Sequence, residues 1–309
     1  MPSTAMTRTR VTPWLGMGVS GKWDNVREAL FMGELDYEVS QSHAYDKFGN
    51  ELPSVLVNHN TTTGQIVGVT SDQYGVVQNE DAFSLLDPFC AAGGIIEHAG
   101  MTSNGMCFMV MHVPSMAFGF NGDEFELYVC AMNSFNTKFP LALIITPVRV
   151  YCQNMFRKLM ARGDTALLIK HGRFAKERIL SAGKASSLLL DYQHGFEMQL
   201  DVDYNLSADG SKLNKFVERM LPLVPVTPDR PRAKFSNERI EAQRREFIDD
   251  YYLASDNLKY AGTRLGILNA YYDWVTHHVP TRASAQFEDV RFSGLLNGTA
   301  VSRKLIASA

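Results

Sequence analysis

Between Arg149 and Lys184 the chain carries nine basic side chains: Arg149, Arg157, Lys158, Arg162, Lys170, Arg173, Lys176, Arg178 and Lys184. Only Asp164 and Glu177 oppose them. A local excess of about seven positive charges is the kind of block that binds phosphate. Its front end reads as a strand giving way to a helix. Arg149 lies in an otherwise apolar run, and Asn154 is placed to cap the helix that carries Arg157 and Lys158. Free N–H groups at a helix start and guanidinium donors together make an anion site. The competing reading is a buried Arg149 paired with an acid on a neighbouring strand, while Gln153 and Asn154 close backbone bonds. Basic residues also cap helix C-termini and solvate helix faces. His171, inside IKHGRF, reads as a phosphate contact rather than a metal ligand.

Other chemistries find less support. His98, Cys107, His112, His277 and His278 are the soft ligands available, but no spacing matches a finger, a knuckle or HExxH, so no metal is expected. Gly183–Lys184 is the one place a phosphate-cradling loop could end. Arg178 stands five residues before Gly183 where glycine is needed, and Ala185 stands where a magnesium-binding hydroxyl belongs. There is no GxSxG and no GxGxxG. Asp123, Glu124 and Glu126 lack the trailing lysine of many nucleases and adjoin a turn where solvated acids are expected. No motif points to an enzyme, and no cofactor is implied. Tyr74–Asn79 (YGVVQN) offers hydrogen-bonding groups on a glycine-containing turn, although a structural turn with a capping Asn79 explains the same residues. Phe118, Phe120, Phe125, Tyr128, Phe135 and Phe139 crowd one region. They either fill a core or, facing outward, stack single-stranded bases at roughly 1–3 kcal/mol each.

The elements that must hold these residues follow from the apolar pattern. The 309 residues are 45% apolar and 20% charged, as in ordinary globular proteins, with a net charge of −3 that argues against a generally basic coat. No apolar run approaches the ~18 residues of a membrane span, and the N-terminus has no apolar signal segment. Cys90, Cys107, Cys130 and Cys152 are widely spaced in apolar contexts, which predicts buried free thiols and a reducing cytoplasm. Residues 1–146 lean acidic, a surface suited to a basic partner.

Strands are expected at 36–45, 55–57 and 65–70, with a short extended piece at 74–77. Asn79 followed by Glu80–Asp81 and the spacing of Phe83, Leu86, Phe89 and Cys90 predicts a helix ending at Gly93–Gly94. Asn104–Gly105 and Asn121–Gly122 each separate apolar runs, the strongest short-range hairpin signal. They predict strands at 95–101, 106–113, 116–120 and 124–132, followed by 141–150. The fold class is therefore α+β: an antiparallel meander of about five strands with packed helices, followed by a mainly helical C-terminal half. Helices are expected at 153–162, 174–200, 213–221, 236–253 and 265–279, with a short basic helix near Arg303–Lys304 in a Gly/Ser/Ala-rich tail. Pro222, Pro225, Pro228 and Pro231 mark a linker or an extended crossing segment. The organisation reads as an arm with a short helix (1–34), an α+β core (35–165), a helical segment (166–221), a Pro-rich linker (222–235) and a helical region with tail (236–309).

Two segments resemble landmarks of a family. Val69–Phe83 (VTSDQYGVVQNEDAF) and Thr146–Phe156 (TPVRVYCQNMF) are similar to the "G-V-V-x-x-x-Y-x-V-V-Q-N-x-E-A-F" and "R-V-V-C-Q-N-T" stretches of the phage- and plasmid-borne family known as domain of unknown function 932. The likeness begins at Trp14, takes in the helix Val26–Met32 and the strand Tyr37–Val39, and continues through Ile169–Ile179 to Leu268–Asp273 and the tail. Tyr151 stands where the family often has Val, and Met155 where it often has Thr, which removes a hydroxyl from the helix start. The resemblance implies a gene of a phage, prophage or plasmid acting in the bacterial cytoplasm. It implies by association a role in DNA replication, recombination or interference with host defence.

The reading that unites these features is a non-enzymatic nucleic-acid-binding protein similar in role to phage single-strand annealing proteins. Arg149, Asn154, Arg157, Lys158, Arg162, Lys170, His171 and Arg173 form its expected contact set, with single-stranded DNA the favoured partner and homo-oligomers expected. The alternative is a protein-interaction module that inhibits or remodels a host factor.

Overall fold

The computed structural model describes residues 18–102, 105–149, 167–172, 185–227, 232–254 and 257–277, together with Ala175, Ile179, Asp229, Leu305 and Ala309. Strands β1 (Val19–Trp23), β5 (Ile95–Met101), β6 (Met106–Phe120), β7 (Asp123–Ser134), β8 (Leu141–Arg149) and β9 (Leu167–Ile169) form one antiparallel sheet in the order β1-β5-β6-β7-β8-β9. Strands β2 (Val39–Tyr45), β3 (Glu51–Asn60) and β4 (Ile66–Ser71) form a second, three-stranded antiparallel sheet. The expected five-stranded meander is thus the centre of a larger sheet, joined by β1 and β9 at its edges.

Strands β6 to β8 read as nearly continuous apolar runs because both of their faces are buried. Met109, Met111, Val113, Leu127, Val129, Ala131, Leu141, Leu143 and Ile145 join one cluster with α1 (Val26–Met32), α2 (Asn79–Phe83) and α3 (Asp87–Ala91). The alternate residues Met106, Phe108, Val110, Tyr128, Cys130, Met132, Ala142 and Ile144 form a separate buried cluster.

Both Asn-Gly signals are hairpins. Asn121 and Gly122 take φ of 48° and 77°, and Gly105 takes 82°, backbone angles that favour these residue types. The expected strands 106–113 and 116–120 are one strand, β6. Its register against β7 slips between Val113 and Phe118, where Pro114 has no N–H to give a ladder. The expected single helix after Asn79 is split into α2, a 3₁₀ turn at Ser84–Leu86 and α3, with Pro88 in the first turn of α3.

The C-terminal half contains α4 (Ala185–Asn205), α5 (Gly210–Met220), α6 (Ala233–Leu253) and α7 (Arg264–His277). Leu213, Phe216, Val217, Phe247, Tyr251, Ile267, Leu268, Tyr271 and Trp274 make their core, against which Leu305 and Ala309 of the tail also pack. Within the proline-rich stretch, Val224 is strapped to α6: its N–H donates to Asn237 Oδ1 and its carbonyl accepts from Asn237 Nδ2, at 2.8 and 2.9 Å. Arg244 of α6 donates to Leu221 O at 2.8 Å. Around Val224 the segment is therefore a packed strap.

The two halves meet at the tip of the β6–β7 hairpin. Phe118, Phe120 and Phe125 pack with Phe196, Leu200 and Tyr204 of α4 and with Tyr260. Beside them Asp123 accepts from Tyr260 OH and from Lys259 Nζ, both at 2.5 Å. Asp203 of α4, fully buried, pairs with Arg264 of α7 at 2.9 Å.

Candidate functional site

The motif YGVVQN folds into a polar knot between the two sheets. Gln78 reaches β2 as a strand would: Val39 N donates to its Oε1 and its Nε2 donates to Val39 O, each at 2.9 Å. Asn79 is not the helix cap expected of it. The cap position belongs to Gln78, and the Asn79 side chain points inward, 1% exposed, where its Nδ2 donates to Leu35 O at 3.0 Å. Its Oδ1 accepts from Asn133 Nδ2, which also donates to Val77 O, both at 3.0 Å. Tyr74 donates to Ser134 O and Asn58 to Phe135 O, each at 2.6 Å. An inward Asn at a helix start is explained by burial: backbone carbonyls closed off from water need donors.

The knot holds a thiol and two phenols but makes no nucleophile. Cys107 Sγ lies 3.7 Å from Tyr37 OH and 3.8 Å from Asn79 Nδ2. Burial pushes its pKa up to about 11, and burial raises Tyr37 and Tyr74 as well, so all three stay protonated near neutral pH. Cys90, Cys107 and Cys130 are free thiols, as expected, while Cys152 lies outside the described residues.

Of the expected contact set, Arg149, Lys170 and His171 lie among the described residues. Arg149 closes β8 opposite Phe125, and Lys170 follows β9, whose Ile169 pairs with Leu141 at the other end of β8. Eight residues of strand separate those ends, about 26 Å. Asn154, Arg157, Lys158, Arg162 and Arg173 lie outside the described residues. Lys170 is exposed. His171 is half-buried and stacks on Tyr74 with ring centroids 5.0 Å apart, so the Tyr74 motif and the IKHGRF segment touch. Burial holds the imidazole down at about 4, and neither ring nitrogen has a hydrogen-bond partner. Near neutral pH His171 therefore offers a phosphate no charge.

The aromatic crowd faces inward. Phe125, Tyr128, Phe135 and Phe139 are buried, and Phe118 and Phe120 pack half-buried against α4. These six fill cores, so none of them is a free stacking platform.

One cluster was invisible in the sequence. His112 lies with Nδ1 3.8 Å from Glu97 and Nε2 3.8 Å from Glu126, and its ring stacks on Tyr128 at 5.0 Å. Tyr128 OH donates to Glu126 at 3.3 Å. Burial raises the Glu97 pKa, opposed by His112 and reinforced by Glu126. The residues come from β5, β6 and β7, so only the strand register joins them. The single hint was a histidine on the apolar run MCFMVMHV. The two nitrogens face different carboxylates and do not converge on one ion. Among the described residues no group of three or more His, Cys, Asp or Glu could hold a metal. No helix among them is long and apolar enough to cross a membrane.

No curated protein and no solved structure matches the chain. A family model does match, over residues 66–293, a range that takes in the YGVVQN motif, the acid–histidine cluster, the basic block and α4 to α7. The chain belongs to the family described as Domain of unknown function (DUF932).

Proposed function

We propose that this chain is a non-enzymatic nucleic-acid-binding protein of a phage or plasmid that holds single-stranded DNA during replication or recombination. The observation that supports the reading is that the two described members of the block belong to paired strands, Arg149 ending β8 and Lys170 following β9. Arg149, Arg157, Lys158, Arg162, Lys170 and Arg173 neutralise phosphates, which gives binding that is largely independent of sequence. Asn154 adds neutral donors at the front of the block. His171 acts through its stack on Tyr74 rather than through charge. The test is fluorescence anisotropy of labelled single- and double-stranded oligonucleotides with the protein and with its Arg157→Ala/Lys158→Ala/Arg162→Ala variant. The triple variant keeps its fold by circular dichroism and loses DNA binding; an unchanged affinity defeats the assignment.

A second reading, a protein-interaction module acting on a host factor, is supported by α4. Met198, Val202 and Leu206 stand exposed along α4 and just past its end at helical spacing, beside Glu197 and Asp201. Such a stripe suits a basic amphipathic helix. Capture of a purified partner that is lost in Met198→Ser/Val202→Ser, by a protein that binds no DNA at low salt, selects this reading.

A further inference from the structure

We propose that the β2–β3 hairpin is a stacking arm for unpaired bases, a site that rests on the nucleic-acid reading above and adds a contact of a different physical kind. The two strands outrun their neighbour. Strand β4 pairs with β3 only from Val55 to His59, so Glu51–Ser54 and the facing end of β2 form a two-stranded ribbon with a turn at 46–50. Two aromatic side chains sit on that ribbon in the open: Phe48 is 78% exposed and Tyr45 60%.

The turn that presents them is firmly built. Asp46 Oδ1 accepts from the N–H groups of Phe48 and Asn50 at 2.8 and 2.9 Å, and Oδ2 accepts from Asn50 Nδ2 at 3.0 Å. Those bonds hold the Asp46 pKa below the usual carboxylate range. Glu51 is paired with His43 at 2.8 Å. Both carboxylates near the tip are thus engaged within the arm. Lys47 Nζ lies 4.8 Å from the centroid of the Phe48 ring. The tip therefore presents an aromatic face with an ammonium against it, the combination that takes a base and its phosphate.

A single-stranded nucleic acid fits better than a protein surface for two reasons. The meander aromatics are committed to the core, so single-strand binding by this fold needs rings elsewhere, and Tyr45 and Phe48 share one exposed element. Rings projecting from a ribbon also suit insertion between bases, as apolar wedges do in nucleic acids. The arm supplies stacking and the basic block supplies charge, so their contributions separate by salt.

The experiment measures anisotropy on a 30-nucleotide oligo-dT, a 30-base-pair duplex and an abasic oligonucleotide of equal length. It also follows the fluorescence of 2-aminopurine placed in the oligo-dT. For Phe48→Ala/Tyr45→Ala the account expects oligo-dT affinity to fall about tenfold, within the range of base–aromatic stacking. Abasic binding stays unchanged, the slope of log affinity against log salt stays unchanged, and the 2-aminopurine response is lost. Phe48→Trp restores both affinity and response. If the wild type binds oligo-dT and the double variant binds it equally well, the arm assignment falls while the basic-block reading stands. If the wild type binds no oligonucleotide at low salt, both fall. A change in sedimentation of the double variant without a change in DNA affinity makes the arm a contact between copies and overturns the proposal.

Discussion

Replacing Asn79 by alanine tests whether the QN of the family motif holds the fold or serves a ligand. The side chain is 1% exposed and satisfied on both ends: Nδ2 donates to Leu35 O, and Oδ1 accepts from Asn133, each at 3.0 Å. Truncation leaves Leu35 O without that donor and takes from Asn133 one of its two acceptors, while Val77 O remains. Two buried groups losing a partner at roughly 1–3 kcal/mol each, softened by local relaxation, give a loss of about 3 kcal/mol. In a chain of this length that is a fall in Tm of about 5 °C. The assay is urea unfolding followed by tryptophan fluorescence, with circular dichroism melts in parallel. Gln78→Ala is the control: its two bonds to Val39 are half-exposed, water can replace them, and a loss of about 1 kcal/mol is expected. An Asn79→Ala protein within 0.5 kcal/mol of the parent but with lost ligand binding would refute the reasoning. The motif would then be a site, and its burial incidental.

Three further outcomes follow from the same geometry. His171, held near 4 against about 6.5 in an unfolded chain, takes up its proton only on unfolding. Its contribution is therefore full above pH 6.5 and is lost as pH falls towards 4. His171→Phe should remove about 2–3 kcal/mol of the stability lost between pH 7 and 4.5 in urea titrations, and a pH profile parallel to the parent's would contradict the burial argument. Asp123→Asn gives the Lys259 ammonium an amide in place of a carboxylate and loses one acceptor for Tyr260. It should destabilise by about 2–3 kcal/mol in thermal melts, more than Tyr260→Phe. Gly68→Ala places a Cβ 2.0 Å from the carbonyl oxygen of Phe135, where backbone must move. At least about 2 kcal/mol should be lost in urea midpoints, and a neutral result would mean the three-stranded sheet is not seated there.

What the sequence showed was whatever is encoded locally. The two Asn-Gly hairpins and the helices expected at 213–221, 236–253 and 265–279 are short-range signals, and each lies close to where the pattern put it, while the helix Val26–Met32 was expected from the family likeness. The α+β class followed from their order. The sequence did not show how strands add up across the chain. Strand β1 is too short and too polar to announce itself, and it exists because Val19 and Ser20 pair with Ala99 and His98. The polar role of Asn79 was misread because a cap and a buried donor require the same residue type at the same place. The cluster of Glu97, His112 and Glu126 needs the register of three strands before it exists at all. Lys170 and Arg149 read as neighbours in one block, yet the antiparallel pairing of β8 with β9 sets them at opposite ends of a strand. The proline-rich stretch gave no hint that Asn237 and Arg244 would strap it down, since those contacts depend on the path of α6.

The measurement that bears most directly on the proposed function is the salt dependence of single-strand binding by the full chain. Six phosphate contacts predict a slope of log affinity against log salt near −4, since single strands release about 0.7 counterion per contact. The Arg157→Ala/Lys158→Ala/Arg162→Ala variant should show no binding under the same conditions, whereas Lys170→Ala, with one contact fewer, should bring the slope to about −3.5. No binding by the parent chain at 50 mM salt, or a slope indistinguishable from zero, would contradict the account.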